Sequence, residues 1–332
     1  MQSVILLALK AILAFTTVDV AIAAPAIQVL GRDFTFSHKI DGFPAKLSEF
    51  PDLEINTFIT NDGVKLSYWE AGRGEPIIFV PGLMASGAEY FNIIYLLRNH
   101  YRVIVLDQRN QGLSQKVDYG TRIERYSMDL KELVDHLGIR QADYCGWSMG
   151  ATVLWGYIDL FGTKNVRKLV FVDEPTAVVA HADWSAQERK NAGGFSTSPE
   201  PLIAAMAQVP PAHPSPDDPN LGSRFMLRES LYFANSEDFA NSVIKTDPKY
   251  ASQIAYDLVT NDWRDVIRHK IDKPTAIFTG EWTPALASQQ WEASVIPGAA
   301  LYTYSKAEQG DHFLMFKNPV KFTKDLQAFL DR

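Results

Sequence analysis

From about Leu53 onward, short apolar runs alternate with longer stretches in which apolar residues recur every three or four positions. "LEINTFIT" and "KLSYWEAG" flank the turn "NDG", and alternation on both sides of such a turn predicts a β-hairpin. The runs "PIIFVPG", "RVIVLDQR", "ADYCGWS", "KLVFVDE" and "PTAIFTG" are near-continuous and rich in β-branched residues, the pattern of parallel strands covered on both faces. Between and after them, helical spacing predicts helices over 90–99, 123–137, 149–160, 285–293 and 319–330. The alternation implies an α/β fold with a mostly parallel, doubly wound sheet led by an antiparallel hairpin.

The alternation stops between Glu174 and about Trp263. That interval holds "FSTSPEPL" and the proline-dense "VPPAHPSPDDPN", then helical stretches rich in aromatics and methionine. It is expected to be a helical cap inserted at the C-terminal edge of the sheet, the edge where open α/β sheets bind ligands. The expected organisation is a signal peptide over 1–24, an extension over 25–50, core over 51–174, cap over 175–262 and core again over 263–332. The leader reading rests on the apolar "VILLALKAILAF" followed by the small residues of "AIAAPA", which suit cleavage after Ala23 or Ala24. Lys10 and Asp19 argue against a stable span, since a charge at mid-membrane costs about 2.5–3.5 kcal/mol. Secretion is therefore expected, with a membrane anchor and a cytoplasmic protein bearing an amphipathic first helix as the alternatives.

Composition narrows the partners. Net charge is −7, and Lys and Arg are scattered without a basic run, which argues against nucleic acid. Cys145 is the single cysteine, so there is no intrachain disulfide framework, and it reads as a small buried hydrophobe on a strand. No metal-ligand cluster or phosphate-cradling glycine loop is evident, so neither a metal nor a cofactor is expected.

"ADYCGWSMGATVLWGYI" reads as strand, tight turn and helix, with Gly146-x-Ser148-x-Gly150 at the turn. That context makes Ser148 the candidate nucleophile, its hydroxyl lifted above the sheet by a strained turn that needs glycine on both sides. Together with "FVPGLM", "LDQRNQGLSQ" and "GDHF", the pattern resembles the α/β-hydrolase family over nearly the whole chain after about residue 50. Pro81 stands where the family usually carries histidine, and Asp107, Arg109 and Ser114 of "LDQRNQGLSQ" read as structural.

The resemblance implies an eight-stranded sheet, His312 as the base that activates Ser148, and an oxyanion hole made by the backbone N–H groups of Leu83 and Met149. It also implies an acid to orient His312. Many members place that acid in a Gly-x-x-Asp turn after the next-to-last strand, where this chain has Thr283. Some members, including haloalkane dehalogenases and the zearalenone lactonases, take it from the end of the strand beside the nucleophile. That strand ends here in "FVDEP", and a gap-free match puts the acid at Asp173. Glu174 is the alternative and Glu281 a further one; side chains alternate along a strand, so only one of the adjacent pair can face His312. Asp311, next to His312 in sequence, is discounted.

The inserted segment supplies Trp184, Phe195, Met206, Phe225, Met226, Tyr232 and Phe233. Many of these form the segment's own core, but together they imply an apolar ceiling, and Trp184, Phe225, Met226 and Tyr232 are the candidates for a substrate pocket. The expected partner is a small hydrophobic ester or lactone, cleaved through an acyl-enzyme by a serine hydrolase. The alternatives are a cofactor-free perhydrolase of the non-haem chloroperoxidase type, and a non-catalytic receptor for a small lactone.

Overall fold

In the computed structural model, residues 24–332 are described except 38–39, 51, 195, 207–229 and 244–247. The expected leader therefore lies outside the described residues, apart from Ala24. So do Phe195, Phe225 and Met226.

Strands β1 (Glu54–Ile59) and β2 (Lys65–Ala71) form the predicted hairpin, closed through Gly63 at φ +82°. They lead β3 (Glu75–Val80), β4 (Tyr101–Asp107), β5 (Ala142–Trp147), β6 (Val166–Val172), β7 (Thr275–Gly280) and β8 (Ala300–Tyr304). The eight strands lie in the order β1-β2-β4-β3-β5-β6-β7-β8, antiparallel up to the β2–β4 pairing and parallel thereafter. Their apolar runs are explained by two cores, one on each face. Ile77, Phe79, Val103, Val105, Val170 and Val172 enter one, while Ile78, Val80, Ile104, Leu106, Leu169 and Phe171 enter the other. Each such side chain contributes roughly 1.5–3 kcal/mol by leaving water.

Helices α1 (Ala26–Leu30), α2 (Phe91–Leu97), α3 (Ile123–His136) and α4 (Met149–Phe161) precede β6. Between β6 and β7 the described residues form α5 (Ala186–Ala192), α6 (Glu200–Met206), α7 (Leu231–Val243), α8 (Pro248–Thr260) and α9 (Arg264–Lys270). Helices α10 (Leu286–Val295), α11 (Leu314–Lys317) and α12 (Pro319–Leu330) complete the chain. Helices α2 and α12 cover the first core through Ile93, Leu97, Phe322 and Leu326; α3, α4 and α9 cover the second through Leu130, Leu133, Leu154 and Ile267. Among the described residues no helix is long and apolar enough to cross a membrane.

The N-terminal segment joins the first core. Ala24 and Pro25 pair with β1, where the Ile55 N–H donates to the Ala24 carbonyl at 3.0 Å. Phe34, Phe36, Leu47 and Phe50 are buried, and Phe36 stacks on Phe91 at 4.1 Å between ring centres.

Candidate active site

Strand β5 ends at Trp147 and α4 begins at Met149, so the whole reversal falls on Ser148, at φ 53° and ψ −130°. A non-glycine residue held there stores about 1–3 kcal/mol of backbone strain. The neighbouring glycines are forced by close approach. A Cβ on Gly150 would sit 1.8 Å from the Val80 carbonyl oxygen, and one on Gly146 would sit 2.5 Å from the Gly150 oxygen. Gly150→Ala should therefore lower the thermal midpoint sharply and shrink the soluble yield; a melting curve unchanged from wild type would contradict this packing.

Sheet register brings the next group alongside. Trp147 pairs with Val172 in the parallel β5–β6 ladder, and the Ser148 N–H donates to the Val172 carbonyl at 2.9 Å. The residue after Val172, Asp173, thus emerges beside Ser148, itself in a left-handed conformation at φ 46°. His312 arrives from the loop after β8. Its Nε2 lies 3.1 Å from Ser148 Oγ and its Nδ1 lies 2.7 Å from Asp173 Oδ2. The structure thus brings Ser148, His312 and Asp173 into one hydrogen-bonded line. Burial pushes the His312 pKa down, but the hydrogen bond to Asp173 and that carboxylate's charge outweigh it, and the net direction is upward from 6.5.

Glu174, the alternative acid, does not reach the imidazole in this way. Side-chain alternation turns it over the first turn of α4, where Thr152 Oγ1 donates to its Oε1 at 3.3 Å. Glu281 is engaged elsewhere, accepting from the Lys306 N–H at 3.0 Å. Asp311 faces the buried Lys317 ammonium and the Phe313 N–H, which fixes the loop that carries His312. The His312 carbonyl is held in turn by Trp147 Nε1 at 2.6 Å.

Thr283, at the family's usual acid position, has become a donor. Its Oγ1 donates to Asp173 Oδ2 at 3.1 Å, and Gln289 Nε2 donates to Asp173 Oδ1 at 3.1 Å. Three donors therefore converge on a carboxylate that is almost fully buried, which makes its charge tolerable. Nothing in the sequence pattern marked Gln289; its signal was only its place one turn into the helix after β7. Thr283→Val should lower kcat about 3- to 10-fold with KM little changed, since one neutral hydrogen bond is worth about 0.5–1.5 kcal/mol. Equal kcat in wild type and variant would show that Thr283 does not orient Asp173.

Behind Asp173 lie two further carboxyls. Glu292 of α10 is fully buried, and neither of its oxygens has a hydrogen-bond partner among the described residues. Burial, reinforced by Glu174 and Asp173, holds its pKa well above the ordinary carboxylate range. Glu174 is pushed up to about 8, by burial first, with Asp173 adding to it and His312 opposing it. The α4 N-terminus favours a negative charge by about 0.3–1 kcal/mol, less than the cost of burying an unpaired carboxylate. Both glutamates are raised relative to the unfolded chain, so they favour the fold fully below the unfolded value, and that contribution is lost as pH rises through the folded one. Wild-type thermal midpoints should fall between about pH 5 and about pH 8, and Glu292→Gln should flatten that slope. Parallel slopes would exclude Glu292 as a buried acid.

The loop after β3 lies against the nucleophile. A Cβ on Gly82 would come 3.0 Å from Ser148 Cβ, so Pro81–Gly82–Leu83 passes directly over the turn. Two glutamines from the segment after β4 brace this loop. Gln108 Nε2 donates to the Pro81 carbonyl at 2.6 Å, and Gln111 Oε1 accepts from the Met84 N–H. The N–H of Met149, first in its helix, has no intrahelical acceptor. Met149 thus follows Ser148 directly in the chain, and Leu83 follows the glycine that packs against the Ser148 side chain. Asp107, Arg109 and Ser114 serve the scaffold: Asp107 accepts from Gly87, Leu113 and Trp69, Arg109 pairs with Asp129, and Ser114 accepts from Ser67.

The pocket candidates divide. Trp184 is stacked on His181 at 4.6 Å and covered by the Arg264 guanidinium at 4.1 Å, and Tyr232 contacts Phe43. Neither contact involves the Ser148–His312–Asp173 line. The next residue, Phe233, is on the face of α7 that meets Phe313 at 5.0 Å, beside His312. A small cavity beside Leu83 is bounded by Met84, Tyr126, Tyr250 and Ile254, so α8 supplies apolar wall that aromatic content alone did not single out. Among the described residues no three His, Cys, Asp or Glu side chains converge as a metal ion would require.

Comparison with known proteins bears on the fold that carries these residues. A solved bromoperoxidase from Bacillus anthracis superposes with a TM-score of 0.63 at 20% identity, over 83% of this chain and 100% of its own. The enol-lactonase from Burkholderia xenovorans gives 0.63 at 20% identity over the same shares. In sequence, the chain is 24% identical to a non-heme chloroperoxidase of Kitasatospora aureofaciens over 82% of this chain and 98% of that protein. It is 32% identical to a non-heme haloperoxidase of Rhodococcus erythropolis over 35% of this chain, and that match spans only 43% of the relative. The model of the alpha/beta hydrolase fold matches residues 75–319, from the start of β3 to the start of the last helix, and the chain belongs to the α/β-hydrolase family.

Proposed function

We propose that the chain is a serine hydrolase that cleaves a hydrophobic carboxylic ester or lactone through an acyl-enzyme. The observation that carries this reading is the line from Ser148 Oγ through His312 to Asp173, at 3.1 and 2.7 Å. Neutral His312, its Nδ1–H held by Asp173, takes the Ser148 proton as Oγ attacks the carbonyl carbon. The oxyanion forms against the N–H groups of Leu83 and Met149. The imidazolium then returns its proton to the departing alkoxide, and water activated by the same imidazole releases the acid. The apolar walls at Phe233, Tyr250 and Ile254 favour a neutral, hydrophobic acyl or alkyl group.

The test is a panel of p-nitrophenyl esters of graded chain length with aromatic and macrocyclic lactones. Turnover that rises with hydrophobicity is expected, and absence of turnover and of fluorophosphonate labelling would sink the reading. Because the His312 pKa is raised, kcat/KM should climb with pH through a midpoint above 6.5; a midpoint below it would contradict the Asp173 contact. A second reading, perhydrolysis, is favoured by the likeness to haloperoxidases. In it hydrogen peroxide replaces water at the acyl-enzyme, and acetate-dependent bromination faster than ester hydrolysis would select it. Export is part of the proposal, supported by the apolar N-terminal run and the small residues of "AIAAPA" that follow it. N-terminal sequencing of secreted protein should begin at Ala24 or Pro25.

A further inference from the structure

Thr152 stands one turn after Ser148, the residue that leads into α4, and the Glu174 carboxyl lies over this turn. It accepts from Thr152 Oγ1 at 3.3 Å, and the Ser148 hydroxyl, 3.1 Å from His312 Nε2, is among the groups that act on its charge. Glu174 is only 7% exposed, and no lysine or arginine is among the groups acting on it. The groups that face it are Asp173 on its own strand end, His312 from the loop after β8, and Thr152 and Ser148 from α4. Glu292 faces it from α10. A carboxyl so enclosed, with a carboxylate next to it and the His312 imidazole opposing its burial, keeps its proton while His312 is neutral.

We propose that Glu174 is a fourth group acting on the nucleophile: as a carboxylic acid it leaves the Ser148 hydroxyl to His312, and as a carboxylate it draws that hydroxyl away and shuts the site. The proposal rests on the serine-hydrolase reading and goes beyond the alternative of Glu174 as the triad acid, a place that Asp173 fills. The two states differ by one proton, lost from Glu174 to solvent. In the acid state the Ser148 O–H points at His312 Nε2 and attack proceeds. In the ionised state the same O–H has a stronger acceptor beside it. A second negative charge also stands beside the developing oxyanion, which raises the barrier. Burial sets Glu174 to titrate at about 8, so activity should fall as pH rises through that value.

The experiment measures kcat on an aliphatic ester by pH-stat from about pH 6 to about pH 10, each enzyme normalised to its own plateau. Wild type should lose at least about tenfold on the alkaline side. Glu174→Gln, which cannot ionise, should lose that limb. Thr152→Val, which removes a donor that favours the charged form, should move the limb to higher pH. A limb that stays in place in Glu174→Gln overturns the proposal; if that variant does not fold, an unmoved limb in Thr152→Val does so. Infrared difference spectra of wild type against variant keep the two readings apart. A carboxylic-acid stretch assigned to Glu174 that disappears at alkaline pH supports the proton assignment even if no ester is turned over, in which case only the hydrolase reading fails. Absence of that stretch at neutral pH overturns the proposal whatever the kinetics.

Discussion

Ser148→Ala should lower ester turnover by roughly 10⁵- to 10⁶-fold and abolish labelling by a fluorophosphonate, with the melting curve preserved or improved. The magnitude follows from the cooperative nature of the site. His312, Asp173 and the oxyanion donors act on an oxygen that alanine lacks, so little beyond binding and polarisation survives. Preserved stability follows from φ 53° at Ser148, a conformation no side chain prefers and alanine tolerates about as well. Residual turnover within about tenfold of wild type would mean that another group attacks the substrate and would remove the basis of the proposed function.

Asp173→Asn should cost about 10³- to 10⁴-fold in kcat with the fold intact. An amide can present NH₂ to His312 Nδ1, which favours the tautomer with the proton on Nε2, where it blocks acceptance from Ser148. Thr283 and Gln289 add to the loss, because both donate to the oxygens of Asp173. Glu174→Gln should not reproduce this effect, since Glu174 faces Thr152 rather than Nδ1. Because Thr283 already touches the oxygen that binds His312, adding Thr283→Asp to Asp173→Asn should recover part of the lost rate. A large loss in Glu174→Gln at neutral pH, with Asp173→Asn mild, would reverse the assignment.

The strands were legible because both-face burial writes apolar runs into the chain, and Gly146-x-Ser148-x-Gly150 was legible because only glycines fit beside Val80 and the first turn of α4. Strand alternation showed that only one of Asp173 and Glu174 could face His312, and the gap-free match to the family pattern chose Asp173. What escaped the sequence depends on docking between distant elements. Gln289 and Glu292 look like ordinary polar positions of a helix until α10 is laid against the ends of β6 and β7. The same holds for Tyr232 and Phe233: adjacent aromatics on one helix face different ways, and composition does not say which turns inward.

The N-terminal segment has a bearing on how selective this enzyme can be. Phe34 and Phe36 meet Phe239 edge-on at 5.1 and 5.2 Å, and Ser37 Oγ donates to Asp238 Oδ2 at 3.0 Å. Both partners lie on the helix that carries Phe233 toward His312. The stretch ahead of the hairpin is thus the far anchor of the helix that sets Phe233 against Phe313, beside His312. Under the proposed function, trimming it should blur chain-length preference before it slows the bond-breaking step.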